Sequence, residues 1–371
     1  MRSLHVLFCA SVCVLASGMS VSAVEWGLKE GTPAVQSAGP LAFGPDGILF
    51  VGDTKSATIF AIGTGDTKGD PAAANINVNG VNKQVADLLK TTAEGVTIND
   101  LAVNPQSGNV YLSVTAGKGA DAKPAIVRVG ADGKLSQVSL AKIPFQKVSL
   151  PNAPEDKEVV GRNGRTSNPR NEAITDIAYA SGKVYVSGVA GGPSPSNVRE
   201  VPFPFNEANV GSNVEIYHAA HGRTEDSATI RTFITLTING EPSLLAGFTC
   251  TPLVKFPVDS FKPGAKSKGT TVAELGNMNR PLDMIVYKKD GHDFLLMSND
   301  KRGVMKISTE NIARKDGLTE PVRGGGVAGQ TYETIKELDG VVQLDRLNDE
   351  HAVVVVQSAP GSQDLRTVSL P

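Results

Sequence analysis

Side chains able to do chemistry cluster most densely in Tyr217-His218-Ala219-Ala220-His221-Gly222. Two imidazoles three residues apart can grip one metal ion, or serve as general bases. Cys250, in Thr249-Cys250-Thr251-Pro252, is the only cysteine beyond position 13. A thiolate beside two imidazoles makes a ligand set for zinc or copper. His218 and His221 are therefore the candidate catalytic residues, and Cys250 a candidate metal ligand. His292 follows the Asp290-Gly291 turn and is expected to be exposed; His351 opens a strand and is expected to be structural.

Three aspartates form a second set: Asn99-Asp100-Leu101, Thr175-Asp176-Ile177 and Leu282-Asp283-Met284. Each stands at the start of a short apolar run. Carboxylates brought together this way repel one another unless something compensates. A calcium or magnesium ion would do so through hard oxygen ligands, and so would Arg231 or a shared proton. Alternatively, each could accept backbone N–H groups from neighbouring strands. Asp100, Asp176 and Asp283 join Cys250 as candidate metal ligands. Calcium or magnesium is the first expectation for the ion, zinc or copper the second. Arg231, Asn299, Lys301 and Arg302 are expected to form a ligand rim around the same site, suited to an anionic or polyhydroxylated molecule.

What positions these residues is a repeat. Leu41-Ala42-Phe43, the turn Gly44-Pro45-Asp46-Gly47, Ile48-Leu49-Phe50-Val51, a polar loop, and Thr58-Ile59-Phe60-Ala61-Ile62 read as three antiparallel strands. The same unit recurs from 101, 177, 232, 284 and 341. Fourth strands are expected at 135–140, 214–217, 270–275 and 332–338. Six copies of a small antiparallel sheet predict a six-bladed β-propeller, an all-β fold in a single domain over 24–371. In such a ring the starts of the inner strands and the loops between second and third strands share one end of the channel. That end would gather the aspartates, the histidines and Cys250. The segment 24–28 is expected to close the ring on the last blade. Val81, Val85, Leu88 and Leu89 share one helical face, which predicts a short helix outside blade one. The stretch 149–171, with Arg162, Arg165 and Arg170, reads as a long loop of the kind that carries function.

The Gly-Pro-Asp-Gly turn followed by Ile-Leu-Phe-Val-Gly-Asp at 48–53 resembles a blade of the gluconolactonase/regucalcin and NHL-repeat propellers. The resemblance covers the repeat pattern over most of the chain and speaks to fold. It implies, for the lactonases, a divalent metal in the channel, held partly by a Glu two residues before a Pro that opens the first blade. Here that stretch reads Ala38-Gly39-Pro40, without the Glu.

Composition fits the fold: of 371 residues, 39 are Gly and 22 Pro, with only 5% aromatic. A net charge of −2 gives no reason to expect a nucleic-acid partner. Residues 1–23 read as a secretory signal, with Arg2, an apolar run over 6–15 and a small-residue site at Val21-Ser22-Ala23. No segment is long enough to span a membrane as a helix, and the expected location is periplasmic or secreted. There is no Cys-x-x-Cys-His, Gly-rich phosphate loop or Gly-x-Ser-x-Gly elbow. Together these features favour an exported propeller that binds a small-molecule or protein ligand at its channel mouth, with or without a divalent metal. A metal-dependent ester or lactone hydrolase is the alternative. A metal- or quinone-dependent oxidoreductase comes after that.

Overall fold

The computed structural model describes residues 25–161 and 164–371. The expected signal segment and Arg162 lie outside the described residues. The strands form six blades of antiparallel sheet, apart from one parallel pairing of Ser212–His218 with Lys266–Lys268, and among the described residues one small separate hairpin pairs Val159–Val160 with Thr166–Ser167. The chain is a six-bladed β-propeller. Inner strands are Leu41–Phe43, Val96–Val103, Asp176–Ala180, Ile230–Ile238, Pro281–Lys289 and Val341–Arg346 for blades one to six.

The strands read as unbroken apolar runs because both faces of each blade are buried. In blade one, Ile48, Phe50, Ile59 and Ala61 pack toward blade three. Their alternates Leu49, Val51, Phe60 and Ile62 pack toward blade two. A period of two therefore feeds two different cores. Each neighbouring pair of blades encloses one such cluster.

Those clusters reveal an order that the sequence does not suggest. Blade one lies between blades two and three, and blade two lies between blades six and one. Around the ring the order is two, one, three, four, five, six. Strands are also exchanged between blades, and two of these exchanges bear on the ring order. The outer strand of blade one, Ile143–Ser149, arrives only after blade two is complete and pairs with Thr58–Gly63. The fourth strand of blade six is Asn77–Val78, pairing with Ser362–Ser369. That exchange closes the ring. The expected closure by 24–28 does not occur: the nearby strand Lys29–Gly31 instead pairs with Ile143–Ser149 on blade one.

The expected outer strands are present as Leu135–Gln137, Ser212–His218, Thr270–Glu274 and Tyr332–Thr334. The expected helix forms over Val81–Leu89. It packs against blades two and six, with Val81 and Val85 buried in their shared core, not outside blade one. No helix among the described residues is long and apolar enough to cross a membrane.

Candidate functional site

The aspartates lie on the inner strands, facing the channel. Asp100 accepts the Leu101 amide of its own strand at 2.8 Å and the Leu41 amide of blade one at 2.7 Å. Asp176 does the same with Ile177 (2.8 Å) and with Phe233 of blade four (2.7 Å). Asp283 takes Met284 and Leu344 of blade six, both at 2.8 Å. A fourth, Asp345, takes Arg346 and Val103 of blade two, both at 2.7 Å. Each carboxylate thus ties its own blade to the next through two backbone donors. They line a channel cavity of about 560 Å³.

Burial raises all four above the usual carboxylate range: Asp176 to about 7 and Asp345 to about 6. Asp100 is held up by burial and then by the neighbouring Asp176 charge, Asp283 by burial and then by Asp100. Raised pKa values favour the protonated forms, so proton retention is one way to relieve the repulsion among these carboxylates, beside the calcium or magnesium ion expected from sequence. The backbone bonds give these aspartates a structural role without any ion. Asp345 escaped the sequence reading because it follows its mostly apolar run, Val341 to Leu344, where the other three precede theirs.

One step along the same strands is the channel mouth, a cavity of about 680 Å³. Asn99 and Thr175, which precede Asp100 and Asp176, line it together with Pro40, Arg231 and Arg280. The long loop contributes Asp156, Asn171 and Glu172. Arg170 fastens that loop, donating to the carbonyls of Pro154 at 2.6 Å and Lys55 at 3.1 Å. Arg231 donates to Glu172 at 2.7 Å and to Thr249 Oγ1 at 2.8 Å, so its charge is already matched. Arg280 and Lys55 also line the cavity, and neither side chain bonds to a described residue. Partial desolvation, and then the Arg231 charge beside it, lower the Arg280 pKa.

The expected rim is only partly there. Arg231 is in the mouth. Asn299 is buried and spends its amide on the Met297 and Gly303 carbonyls, with its Oδ1 accepting from Asn279. Arg302 is folded back onto the Asn277 carbonyl at 3.1 Å, and Lys301 shares that exposed turn. The sequence reading missed Arg280 because it looks like the ordinary solvated start of a strand.

The histidines and Cys250 do meet. His218 and His221 face each other with ring centroids 3.8 Å apart. One ligand atom from each of His218, His221 and Cys250 lies within 4.8 Å of the other two. Glu225, which the sequence reading passed over, binds both rings: Oε2 to His218 Nδ1 at 2.8 Å and Oε1 to His221 Nδ1 at 2.9 Å. The hairpin register explains this. His218 pairs with Arg223 and Ile216 with Glu225, so Glu225 is the diagonal neighbour of His218. Burial pushes Glu225 up, but the bonds from Arg223, His221 and His218 outweigh it and hold it below the usual range. Burial likewise lowers His218. His292 is exposed at the start of the strand His292–Asn299, and His351 bonds Asn348 at 3.2 Å.

No family model matches the chain, and no curated protein does. Solved structures match at the level of the propeller alone. The extracellular domains 1–2 of Drosophila Semaphorin 1b align at 10% identity and a TM-score of 0.40, covering 93% of this chain and 87% of that one. The PQQ-bound aldose sugar dehydrogenase of Streptomyces coelicolor aligns at 12% identity and 0.29, covering 92% and 96%. Virginiamycin B lyase from Staphylococcus aureus aligns at 10% and 0.31, covering 93% and 99%. At such distances the likeness is one of architecture, and function has to be argued from the site.

Proposed function

We propose that this chain is an exported binding propeller whose channel mouth takes a small polyhydroxylated anion, such as a sugar acid. One observation carries the reading: Arg280 lines the mouth cavity with its guanidinium hydrogen-bonded to no described residue, and Lys55, likewise without a side-chain bond to a described residue, lines the same cavity. A planar guanidinium is suited to bidentate carboxylate recognition. Asn171 supplies an amide with no side-chain bond to another described residue, and the Asn99 Oδ1 and Thr54 Oγ1 can still accept from a polyol although Asn99 Nδ2 and the Thr54 hydroxyl already donate within the protein. Export rests on the signal-like segment 1–23.

The hydrolase alternative draws no support from the channel aspartates, whose carboxylates are engaged by backbone amides. The test is calorimetric titration of wild type and Arg280→Gln with D-glucuronate, D-glucose and inorganic phosphate. Wild type is expected to prefer glucuronate to glucose. Loss of a charged hydrogen-bond donor, worth about 1.5–3 kcal/mol, should weaken glucuronate about tenfold or more. Equal affinity in wild type and Arg280→Gln, or no binding of any probe, would overturn the assignment.

A further inference from the structure

We propose that His218, His221 and Cys250 hold a single thiophilic transition-metal ion, copper or zinc, at a centre distinct from the mouth. The donors come from two blades. The histidines flank the turn after the outer strand of blade three, and Cys250 lies in the loop between Glu241–Phe248 and Pro252–Pro257 of blade four. Folding, not local sequence, brings one ligand atom from each to within 4.8 Å of the others.

The ring orientations favour a metal. A carboxylate accepts but does not donate, so Glu225 fixes both rings with the proton on Nδ1. Each Nε2 is then left as a bare lone pair. His218 is only 2% exposed, and its Nε2 is buried with no hydrogen-bond partner among the described residues. Leaving such an atom unsatisfied costs about 1–3 kcal/mol. A metal ion would satisfy it. The arrangement reproduces the usual support of metal-binding histidines, in which the second ring nitrogen is held by a carboxylate that is itself held. Here Arg223 Nε donates to Glu225 at 2.8 Å.

Cys250 is presented with equal rigidity. Cys250 and Thr251 both adopt left-handed backbone, φ 68° and 61°. Non-glycine residues rarely do so, at a cost of about 1–2 kcal/mol each, unless surrounding bonds enforce it. The bonds are present. The Cys250 amide donates to the Asn279 carbonyl at 2.8 Å, and the Thr251 amide to Phe248 at 2.8 Å. The Thr251 hydroxyl donates to the Gly276 carbonyl. Across the cluster, the Ala220 amide donates to Glu274 Oε2 at 3.0 Å, and the Val322 amide to the Ala219 carbonyl at 2.9 Å. Both halves of the centre are therefore fastened before any ion arrives.

Two imidazoles and one thiolate select copper or zinc over calcium or magnesium. Three protein ligands leave a further coordination position. The His221 side chain is 43% exposed, so that position is reachable from solvent.

The test is metal titration of the full-length chain, purified in chelator-free buffer, beside Cys250→Ser, His221→Ala and Glu225→Gln. Cys9 and Cys13 are retained in every variant, so a loss in Cys250→Ser reports on Cys250. Wild type should take up one equivalent of zinc, cobalt or copper and none of calcium. The cobalt(II) and copper(II) forms should show a thiolate charge-transfer absorption, and zinc should raise the unfolding midpoint. Cys250→Ser should lose the absorption, and His221→Ala, whose ring is half-exposed, should remain folded but lose stoichiometric binding. Glu225→Gln should bind about 10–100-fold more weakly. Elemental analysis of the protein as isolated tells copper from zinc. No stoichiometric uptake by wild type, or equal uptake by Cys250→Ser and His221→Ala, would overturn the proposal. Arg280→Gln should bind metal as wild type does, which keeps the two sites experimentally separate.

Discussion

The amide of Cys250 donates to the carbonyl of Asn279 at 2.8 Å, joining the thiol-bearing loop of blade four to the start of blade five. Asn279 immediately precedes Arg280 of the mouth, and Thr249, on the other side of Cys250, accepts from Arg231. The His-Cys cluster and the mouth thus share one short piece of backbone. The Asn279 side chain locks that piece: its amide donates to Asn299 Oδ1 at 2.9 Å, and its own Oδ1 accepts from the Lys301 amide at 3.2 Å. Asn279→Ala leaves the buried Asn299 oxygen unpaired, which should cost about 1–3 kcal/mol. Denaturant unfolding would show the loss. Hydrogen exchange should quicken at the Cys250 amide ahead of the blade cores.

The channel aspartates make stability depend on pH in an unusual direction. Their folded pKa values are raised, Asp176 to about 7 and Asp345 to about 6, against an ordinary value near 4. The folded state therefore binds protons more tightly than the unfolded chain. The stabilisation is full below about pH 4 and is lost as pH rises through about 7. The unfolding midpoint should fall between pH 5 and 7.5, where the aspartates, with Glu274 raised to about 7, outweigh the opposing contribution of His218, whose pKa is lowered, and where Glu225, Asp226 and Asp364, which are shifted down, no longer titrate. Asp176→Asn cannot ionise and keeps one acceptor, so its midpoint should change less with pH. An equal slope in that variant would refute the assignment.

A charge at the mouth should tune affinity in the opposite sense to Arg280→Gln. Glu172 accepts from Arg231 at 2.7 Å and is half-exposed, so its negative charge offsets part of the positive charge of Arg231 and Arg280. Glu172→Gln should tighten glucuronate several-fold at low salt and leave glucose unaffected. The gain should shrink as ionic strength rises, because the site is open to solvent. Titration at two salt concentrations checks both points.

Arg199 is fully buried on blade three, and its Nε and Nη1 have no partner among the described residues. Its Nη2 donates to the Pro151 carbonyl at 3.2 Å, and burial lowers its pKa to about 10. An unpaired buried cation is costly. Arg199→Met fills similar volume without the charge and should raise stability by about 1–2 kcal/mol, read as a higher denaturant midpoint. A large loss would mean that the guanidinium is holding something essential.

The legible parts of this fold were those written in neighbouring residues. Ile48 to Val51 and Thr58 to Ile62 announce their strands because both faces are buried, and Val81, Val85, Leu88 and Leu89 announce a helix. What stayed hidden depends on long-range exchange. The outer strand Ile143–Ser149 sits beyond blade two in the chain, so no repeat pattern assigns it to blade one. At the site, His218, His221 and Cys250 stood out by residue type and do converge. Glu225 and Arg280 did not, because charged residues at strand ends are commonplace, and only the hairpin register and the cavity single them out.

Ring closure gives the last test. Strand Asn77–Val78 is secured by several side chains at its ends: the Ile76 amide donates to Thr367 Oγ1 at 2.9 Å, and the Gly80 amide to Asp364 Oδ1 at 2.7 Å. Asn82 donates to the Gly361 carbonyl and accepts from the Gln363 amide. Two residues of strand pairing are too few to hold the closure unaided, so these bonds should matter. Thr367→Val leaves the Ile76 amide without its partner and should cost about 1–3 kcal/mol. Exchange at residues 76–78 should accelerate selectively. Deleting 25–31 should instead loosen Ile143–Ser149, to which Lys29–Gly31 is paired, and remove Trp26 and Leu28 from the core between blades one and three. Protection at 76–78 should survive that deletion. If it collapsed, the N-terminal strand and not Asn77–Val78 would be what keeps the ring shut.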